Sequence, residues 1–351
     1  MKIFSSIKKQ LNQQKPFVAY RKHNSNRVVG MFLESTELRF CRSMDEHGFV
    51  FAPYDDESET ILFPINESEV MVEELALHES ITTSKIGSNE VGKKKHIQLV
   101  EKAIEEIESS NLQKIVVSRK EVMPSSNFKA EEVFQKLLSK YQNALVYCWY
   151  HPSVGLWMGA SPETLCKVTS GRLITIALAG TQKHLEGQEV KWGAKEIEEQ
   201  QMVTDYIVEA VRNKVDELEV GATHTVKAGN LLHLKTRIEG DLKSQSPLKD
   251  IVSELHPTPA VCGLPKNDAQ TFLKNKEGYN RKFYTGYLGE LNYDGIEGSR
   301  RDSHLFVNLR CMEFVDEQVC IYVGGGITAD SDAQKEWEET VNKTLTIKSV
   351  L

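Results

Sequence analysis

The sequence lacks the features of a membrane, secreted or zinc-binding protein. It has no apolar run of about 18 residues, and its first residues carry lysines without an apolar stretch, so we expect neither a membrane span nor a secretory signal. No two cysteines form a CxxC pair, which disfavours a zinc site, and a chain of this length needs no disulfide framework. These absences predict a cytoplasmic protein with reduced, scattered thiols at Cys41, Cys148, Cys166, Cys262, Cys311 and Cys320.

Common catalytic and nucleotide-binding signatures are also missing. The chain contains no GxxxxGK(S/T), HExxH, GxSxG or EF-hand pattern, and no Pro/Gly/Ser-rich linker divides its 351 residues. It carries 43 basic and 50 acidic residues, and the resulting net charge of −7 disfavours nucleic acid as a partner. An anionic ligand must therefore be bound by local cations and not by the overall charge.

What the sequence does contain is a series of short β-rich runs without strict strand–helix alternation. Consecutive strands are predicted at Gly155–Met158, Thr164–Val168 and Leu173–Leu178, the last two joined by a tight turn. A further single strand is predicted over Ser303–Phe314. Runs of this kind favour an α+β architecture with large antiparallel sheets.

Helical periodicity is clearest in the last three quarters of the chain. Long helices are predicted over Gly193–Leu218 and Ala333–Leu345. Signals are weaker near the start, and the stretch Ile81–Lys95 is polar. We expect one domain over residues 1–351, with a variable N-terminal part at 1–95 and a core at 96–351.

Carboxylates continue the apolar stripe of two predicted helices. Glu199 lies one turn before the stripe residue Val203, and Glu196 lies about one turn earlier. In the final helix, Glu336 and Glu339 share a face with Lys343. Two carboxylates with several waters suit Mg2+. The alternatives are a solvated end of the stripe and an ordinary Glu–Lys pair on an exposed face.

Two further positions can carry acid–base chemistry. Lys114 opens an otherwise apolar strand, and burial favours the neutral form that a base requires. Glu163 ends the segment GASPE at a sharp turn, where a raised pKa makes a carboxyl group an acid. Each is also compatible with a solvated strand end or turn. The run Gly324–Gly326 predicts either a tight turn or a backbone site for an anion.

Taken together, several segments resemble the chorismate-utilising enzyme family, which includes isochorismate, salicylate, anthranilate and aminodeoxychorismate synthases. The resemblance runs from about Glu101 to Leu351 and favours the functional alternative at each position above. The segments are Lys114–Arg119, Gly159–Glu163, Ala177–Thr181, Lys195–Glu199, Leu232–Leu234, Leu255–Gly263, Phe283–Gly286, Leu309–Cys311, Gly324–Ile327 and Glu336–Lys343.

The resemblance implies a fold, a substrate and a cofactor. The fold is a single large α+β domain with two large, mostly antiparallel sheets packed face to face and helices outside. Glu199 and Glu339 match the Mg2+-binding glutamates of the family, with Glu196 and Glu336 as their close partners. The matched positions for binding chorismate are Gly180, Thr181, His233, Ala260, Tyr284, Arg310, Gly324, Gly326 and Lys343.

The same resemblance assigns the catalytic pair. Lys114 matches the general base and Glu163 the general acid of the isochorismate and salicylate synthases. Water attacks ring carbon 2 while the 4-hydroxyl leaves. Because water is a poor nucleophile and hydroxide a poor leaving group, one proton must be removed and another supplied.

Two alanines narrow the reaction. Ala179 stands where aminodeoxychorismate synthases carry a nucleophilic Lys, and Ala260 where salicylate synthases tend to carry Thr. We therefore expect an isochorismate synthase, an isomerase of menaquinone or siderophore biosynthesis. The alternatives are a salicylate synthase and a catalytically dead chorismate-binding relative. A monomer without an obligate glutaminase is expected. In the helix motif, Glu196 and Gln200 replace the Asp and His that are more frequent in the family.

Overall fold

The structure is a computed structural model that describes residues 2–55, 58–75, 90, 92–183, 190–228, 231–298 and 302–351. Its strands are β1 (Phe17–Arg21), β2 (Arg27–Leu33), β3 (Arg39–Phe40), β4 (Gly48–Ala52), β5 (Ile61–Pro64), β6 (Ser68–Glu74), β7 (Lys114–Pro124), β8 (Leu145–His151), β9 (Gly155–Ser161), β10 (Thr164–Thr169), β11 (Arg172–Lys183), β12 (Val215–Val220), β13 (His224–Ala228), β14 (Leu231–Leu242), β15 (Gly263–Leu264), β16 (Tyr287–Leu291), β17 (Ser303–Val307), β18 (Cys311–Val315) and β19 (Gln318–Ile327).

These strands form two large sheets. The first has the order β15-β7-β19-β18-β9-β8-β1-β2-β6. The second has the order β12-β14-β11-β10-β17-β16-β4-β5-β3, with β13 beside β14. Every pair of neighbouring strands is antiparallel within the part of the chain that the structure describes. The predicted α+β class with large antiparallel sheets is confirmed.

An aromatic core holds the two sheets face to face. Phe51 of the second sheet contacts Trp149 of the first, with ring centroids 4.8 Å apart. Trp157 stacks on Tyr322 within the first sheet at 5.3 Å, and all four side chains are buried. Because side chains alternate along a strand, every second side chain points away from this aromatic layer. The outer face of each sheet must therefore be covered by other elements.

Helices cover those outer faces. The helices α1 and α3 pack on the first sheet, α4 and α5 on the second, and α2 and α6 cover the end of the first sheet near β7 and β15. The helix α7 lies along β19 and α2. None of the described helices is long and apolar enough to cross a membrane. The bounds are α1 (Lys2–Gln13), α2 (Lys93–Ser109), α3 (Ala130–Lys140), α4 (Ala194–Val211), α5 (Leu248–Leu255), α6 (Lys266–Lys276) and α7 (Ala333–Lys348), with a 3-10 turn at Ile65–Glu67.

Two predicted elements were wrong in extent. The helix predicted over Gly193–Leu218 ends at Val211, where a turn sends the chain into β12 beside β14. The strand predicted over Ser303–Phe314 is two strands, β17 in the second sheet and β18 in the first. Arg310 separates them with a φ of 49°, a left-handed conformation that ends a strand and redirects the chain.

The N-terminal residues contribute strands to both sheets. The strands β1, β2 and β6 extend the first sheet beyond β8, and β3, β4 and β5 extend the second beyond β16. Most of the polar stretch predicted at 81–95 lies outside the described residues, and its end forms the start of α2. The division at residue 95 stays a prediction.

Candidate functional site

A cavity of about 290 Å³ lies between the two sheets at one end, enclosed by β7, β11, β19 and the helices α4 and α7. Every candidate residue drawn from the sequence lines this cavity, although these residues come from distant parts of the chain. They are Lys114, Glu163, Gly180, Thr181, Glu196, Glu199, His233, Ala260, Tyr284, Arg310, Gly324, Gly326, Glu336, Glu339 and Lys343.

Lys114 is a buried cation at the start of β7. Its side chain is 2% exposed, and Nζ donates a hydrogen bond of 2.6 Å to Glu199 Oε1 on α4. Because burial of an unpaired ammonium group is unfavourable, Lys114 needs this partner. The ion pair also connects β7 to α4. Glu199 therefore belongs to the cavity side of α4, as the continued apolar stripe predicted.

Glu163 is a buried acid in the turn between β9 and β10. Its backbone is fixed by hydrogen bonds with Val307 and Ser161. Burial raises the pKa of the Glu163 carboxyl from 4.5 to about 7, although the charges of Lys114 and Lys343 act in the opposite direction. The carboxyl group therefore holds its proton near neutral pH, as a general acid must.

The glycine run continues the strand β19 and forms no turn. Gly324, Gly325 and Gly326 pair with β7, and none of the three has a positive φ. They are needed because the cavity wall leaves no room for a side chain. A Cβ atom at Gly324 would lie 2.7 Å from the carbonyl oxygen of Val117, and one at Gly326 would lie 2.8 Å from Cε of Lys114. Of the two alternatives for this run, the tight turn is wrong.

Four glutamates from two helices line the cavity. Glu196 and Glu199 come from α4, and Glu336 and Glu339 from α7. Burial and the neighbouring Glu339 raise the pKa of Glu336. Burial also raises the pKa of Glu339, but the charges of Lys343 and Arg310 outweigh it and hold that pKa below its ordinary value.

The carboxylates fit a hard divalent cation, although they form no closed ligand cage. Within the described ranges, no group of three or more His, Cys, Asp or Glu side chains is arranged to hold a metal. Glu199 is paired with Lys114, and Glu339 with Lys343 at 2.5 Å. Mg2+ binds through one or two carboxylates and keeps several waters, so an open set of crowded carboxylates suits it.

A second set of cations faces the other part of the cavity. Nζ of Lys343 donates to the carbonyl oxygen of Gly324 at 2.8 Å. The Arg310 guanidinium donates weakly to the carbonyl of Lys343 and to Thr346 Oγ1, at 3.4 and 3.3 Å. In the described part of the chain, no carboxylate forms an ion pair with Arg310. Its fork therefore remains able to bind an anionic ligand.

A bulge in β11 shapes the remaining wall. The pairing with β14 shifts between Ala179 and Thr181, and Gly180 takes a φ of 66° that favours glycine. The His233 ring bonds through Nδ1 with the Gly180 carbonyl oxygen at 3.2 Å and with Thr181 Oγ1 at 3.1 Å. Burial and the charges of Arg310 and Lys343 lower the pKa of His233 to about 4, so the ring is neutral.

A buried arginine that the sequence did not single out supports three parts of the wall. Arg281 donates to the carbonyl oxygens of Val116 at 2.7 Å and Val261 at 2.8 Å, and to Thr285 Oγ1 at 3.3 Å. Glu277 balances its charge at 2.6 Å. Glu277 and Arg281 lie beyond the end of α6, so helical spacing did not indicate this pair. Lys195 and Lys335 also line the cavity and were not predicted as site residues.

The comparison with known protein families identifies the class. Residues 50–351 match the family described as chorismate binding enzyme. The match covers most of the chain, so this protein belongs to the chorismate-binding enzyme family. The resemblance found in the short segments of the sequence is thereby confirmed.

Individual relatives are more distant. The isochorismate synthase EntC of Escherichia coli K12 is 27% identical over 265 residues, which are 72% of this chain and 66% of EntC. The chain thus spans slightly under two thirds of that relative. The crystal structure of a putative isochorismate synthase, DhbC, from Bacillus anthracis has a TM-score of 0.80 at 21% identity, covering 98% of both chains.

A second solved structure gives the same result. The menaquinone-specific isochorismate synthase MenF from Escherichia coli has a TM-score of 0.77 at 20% identity, covering 96% of this chain and 88% of MenF. At these identities the structural likeness establishes the fold. The predicted arrangement of two packed sheets with helices outside is therefore confirmed by both the coordinates and the solved relatives.

Proposed function

We propose that this protein is an isochorismate synthase, an isomerase that converts chorismate to isochorismate with Mg2+. The observation that carries the proposal is that buried Lys114 and Glu163 line one cavity together with two pairs of helical glutamates. The names of EntC, MenF and DhbC support the same reaction.

Glu163 is the proposed general acid. Breaking the ring C4–O bond requires a proton on the departing hydroxyl, which then leaves as water. With a pKa of about 7, Glu163 carries that proton in a substantial fraction of the molecules at neutral pH and gives it up readily. A solvated glutamate is ionised at this pH and has no proton to donate.

Lys114 is the proposed general base. It removes a proton from the water whose oxygen bonds to ring carbon 2, the two ring double bonds shift, and the C4–O bond breaks. A lysine side chain accepts a proton only in its neutral form. Ala179 also lines the cavity and offers no amine, so water is the nucleophile available at that wall.

The glutamates of α4 and α7 are the proposed holders of Mg2+. Glu199 and Glu339 would bind the ion, with Glu196 and Glu336 beside them. When bound, Mg2+ supplies a positive charge that polarises the ring carboxylate of the substrate. Burial and the neighbouring Glu339 raise the pKa of Glu336, and this crowding of two carboxylates supports a cation beside α7.

The chain's own cations and polar groups are proposed to orient chorismate. Arg310 and Lys343 would bind the other carboxylate, and Arg310 is suited to it because its fork donates two parallel hydrogen bonds. The remaining predicted contacts are Gly180, Thr181, His233, Ala260, Tyr284, Gly324 and Gly326, all of which line the same cavity. We expect chorismate and no nucleic acid or membrane as a partner.

Incubation of the purified protein with chorismate and Mg2+ tests the reaction. Isochorismate as the only product, separated by liquid chromatography, is the expected result. Salicylate with pyruvate would instead identify a salicylate synthase, and an amine formed only with added ammonia would identify an aminating enzyme. Chorismate that remains unchanged under all conditions would refute the proposal.

The variant Lys114→Ala tests the catalytic assignment. We expect it to lose turnover while still binding chorismate with Mg2+, because the substrate contacts lie on other residues. Full activity would contradict the role of Lys114 as the base. If the protein is instead a catalytically dead chorismate-binding relative, the wild-type protein should already bind chorismate without converting it.

Other properties remain predictions of the sequence. They are the cytoplasmic location, the monomeric state, the absence of an obligate glutaminase, and the division into residues 1–95 and 96–351 of one domain. Menaquinone and siderophore biosynthesis are the two proposed pathways, because a menaquinone-specific and a vibriobactin-specific isochorismate synthase are both similar to this chain.

A further inference from the structure

One edge of β11 has no strand partner along the cavity. The neighbouring strand β10 pairs with β11 only from Arg172 to Ile174. Beyond this point, no described strand continues the ladder on that edge, although the opposite edge stays paired with β14 as far as Lys183. Peptide groups on the free edge still require hydrogen-bond partners, because this part of the wall is buried.

The side chain of Gln200 on α4 supplies hydrogen-bond partners to two of these peptide groups. Its Oε1 accepts a hydrogen bond of 2.8 Å from the backbone N–H of Ala179, and its Nε2 donates one of 3.1 Å to the carbonyl oxygen of Ala177. A neighbouring parallel strand makes this same pair of contacts with the N–H and the C=O of one residue. Gln200, which is 2% exposed, thus takes the place of one residue of a missing strand with its side-chain amide.

This contact joins two parts of the site. Gln200 directly follows Glu199 on α4, and Glu196 precedes it by about one turn. Ala179 begins the bulge that contains Gly180 and Thr181. The helix also approaches closely here, since a Cβ atom at Gly180 would lie 3.1 Å from the carbonyl oxygen of Glu196.

We propose that Gln200 is a positioning residue that sets the distance between the α4 glutamates and the β11 wall of the cavity. The role rests on the proposed function, because it concerns the same cation and substrate. Gln200 contacts neither. Its amide is further held by Thr236 Oγ1, which accepts from Nε2 at 3.0 Å, so its orientation is fixed from β14 as well.

The test compares Gln200→Met with Gln201→Met. The first change removes the amide at nearly constant volume. The second makes the same change one residue later, where the side chain is exposed and donates a hydrogen bond to Asp205 of the same helix. Both proteins are compared with wild type for Mn2+ affinity by electron paramagnetic resonance, for kcat and KM with chorismate, and for thermal unfolding.

We expect Gln200→Met to weaken Mn2+ binding and to lower kcat/KM, each by roughly ten- to one-hundred-fold, as is typical when a group that orients a metal ligand is removed. Gln201→Met should match wild type. The inference is overturned if folded Gln200→Met stays within about twofold of Gln201→Met in both quantities, because a merely structural contact would lower only the unfolding temperature.

If Gln200→Met does not fold, Gln200→Glu decides. Glutamate keeps the acceptor for the Ala179 N–H and loses the donor to Ala177. Added negative charge near the cation strengthens its binding electrostatically, whereas a displaced α4 weakens it, so the two effects differ in sign. Weaker Mn2+ binding supports the inference, and equal or tighter binding refutes it. If wild type neither binds Mn2+ nor converts chorismate, the proposed function fails instead.

Discussion

Replacing Glu163 with Gln should stabilise the protein while removing its activity. The carboxyl group is 7% exposed, and burial raises its pKa from 4.5 to about 7. The stability that the folded protein gains from protonated Glu163 is fully present below the ordinary pKa of the carboxyl group. It is lost as the pH rises through 7. Above pH 7 the folded state holds an unfavourable charge, and the difference between the two pKa values corresponds to about 3 kcal/mol.

Urea unfolding at two pH values measures this effect. Without substrate or metal, we expect Glu163→Gln to be more stable than wild type by about 3 kcal/mol at pH 8, and by about 1 kcal/mol or less at pH 5. The matched control is Glu198→Gln on the exposed face of α4. A gain of the same size at both pH values would show that burial does not destabilise the ionised Glu163 carboxyl group.

The same variant tests the chemistry. Glutamine preserves the shape of the side chain but has no proton to give, so we expect kcat to fall by roughly 10²- to 10⁴-fold. In the wild-type enzyme, kcat should decline as the pH rises through about 7, where Glu163 loses its proton. Undiminished turnover in Glu163→Gln, or a rate that keeps rising above pH 8, would remove Glu163 from its role as acid.

Three further variants test other parts of the site. Glu339→Gln should require a much higher Mg2+ concentration for half-maximal rate, while Glu338→Gln on the exposed face of α7 should not; equal Mg2+ curves would contradict the metal assignment. Arg310→Lys should raise KM roughly ten- to one-hundred-fold, as expected for about 1.5–3 kcal/mol from a charged hydrogen bond, with little change in kcat. Gly326→Ala places a Cβ atom 2.8 Å from Cε of Lys114 and should lower kcat in steady-state kinetics. An unchanged kcat would show that the cavity wall adjusts to the added methyl group.

The sequence predicted elements well where one pattern dominated and poorly where the chain changes partners. The turn at Ser170 and Gly171 connects β10 and β11 as predicted. The strand predicted over Ser303–Phe314 failed because its apolar pattern continues while the chain passes from one sheet to the other. Only the left-handed Arg310 marks that crossing, and most residue types give no local sign of such a conformation.

The candidate site followed from many short segments considered together, and not from spacing. Helical periodicity placed Glu199 beside an apolar stripe, but could not show that its partner is Lys114, 85 residues earlier in the chain. The roles of Arg281 and Gln200 were not predictable in this way. Each bonds to backbone atoms that are remote in the sequence, and the sequence contains no pattern for a contact between a side chain and a remote peptide group.

The distribution of the N-terminal strands over both sheets has a consequence during synthesis. The strand β4 pairs with β16, which follows it by roughly 235 residues. At a synthesis rate of about 5–20 residues per second, β4 lacks this neighbour for roughly 10 to 50 s. The apolar strand β4 must therefore emerge from the ribosome well before β16, and its unpaired edge stays exposed to aggregation until that strand is made.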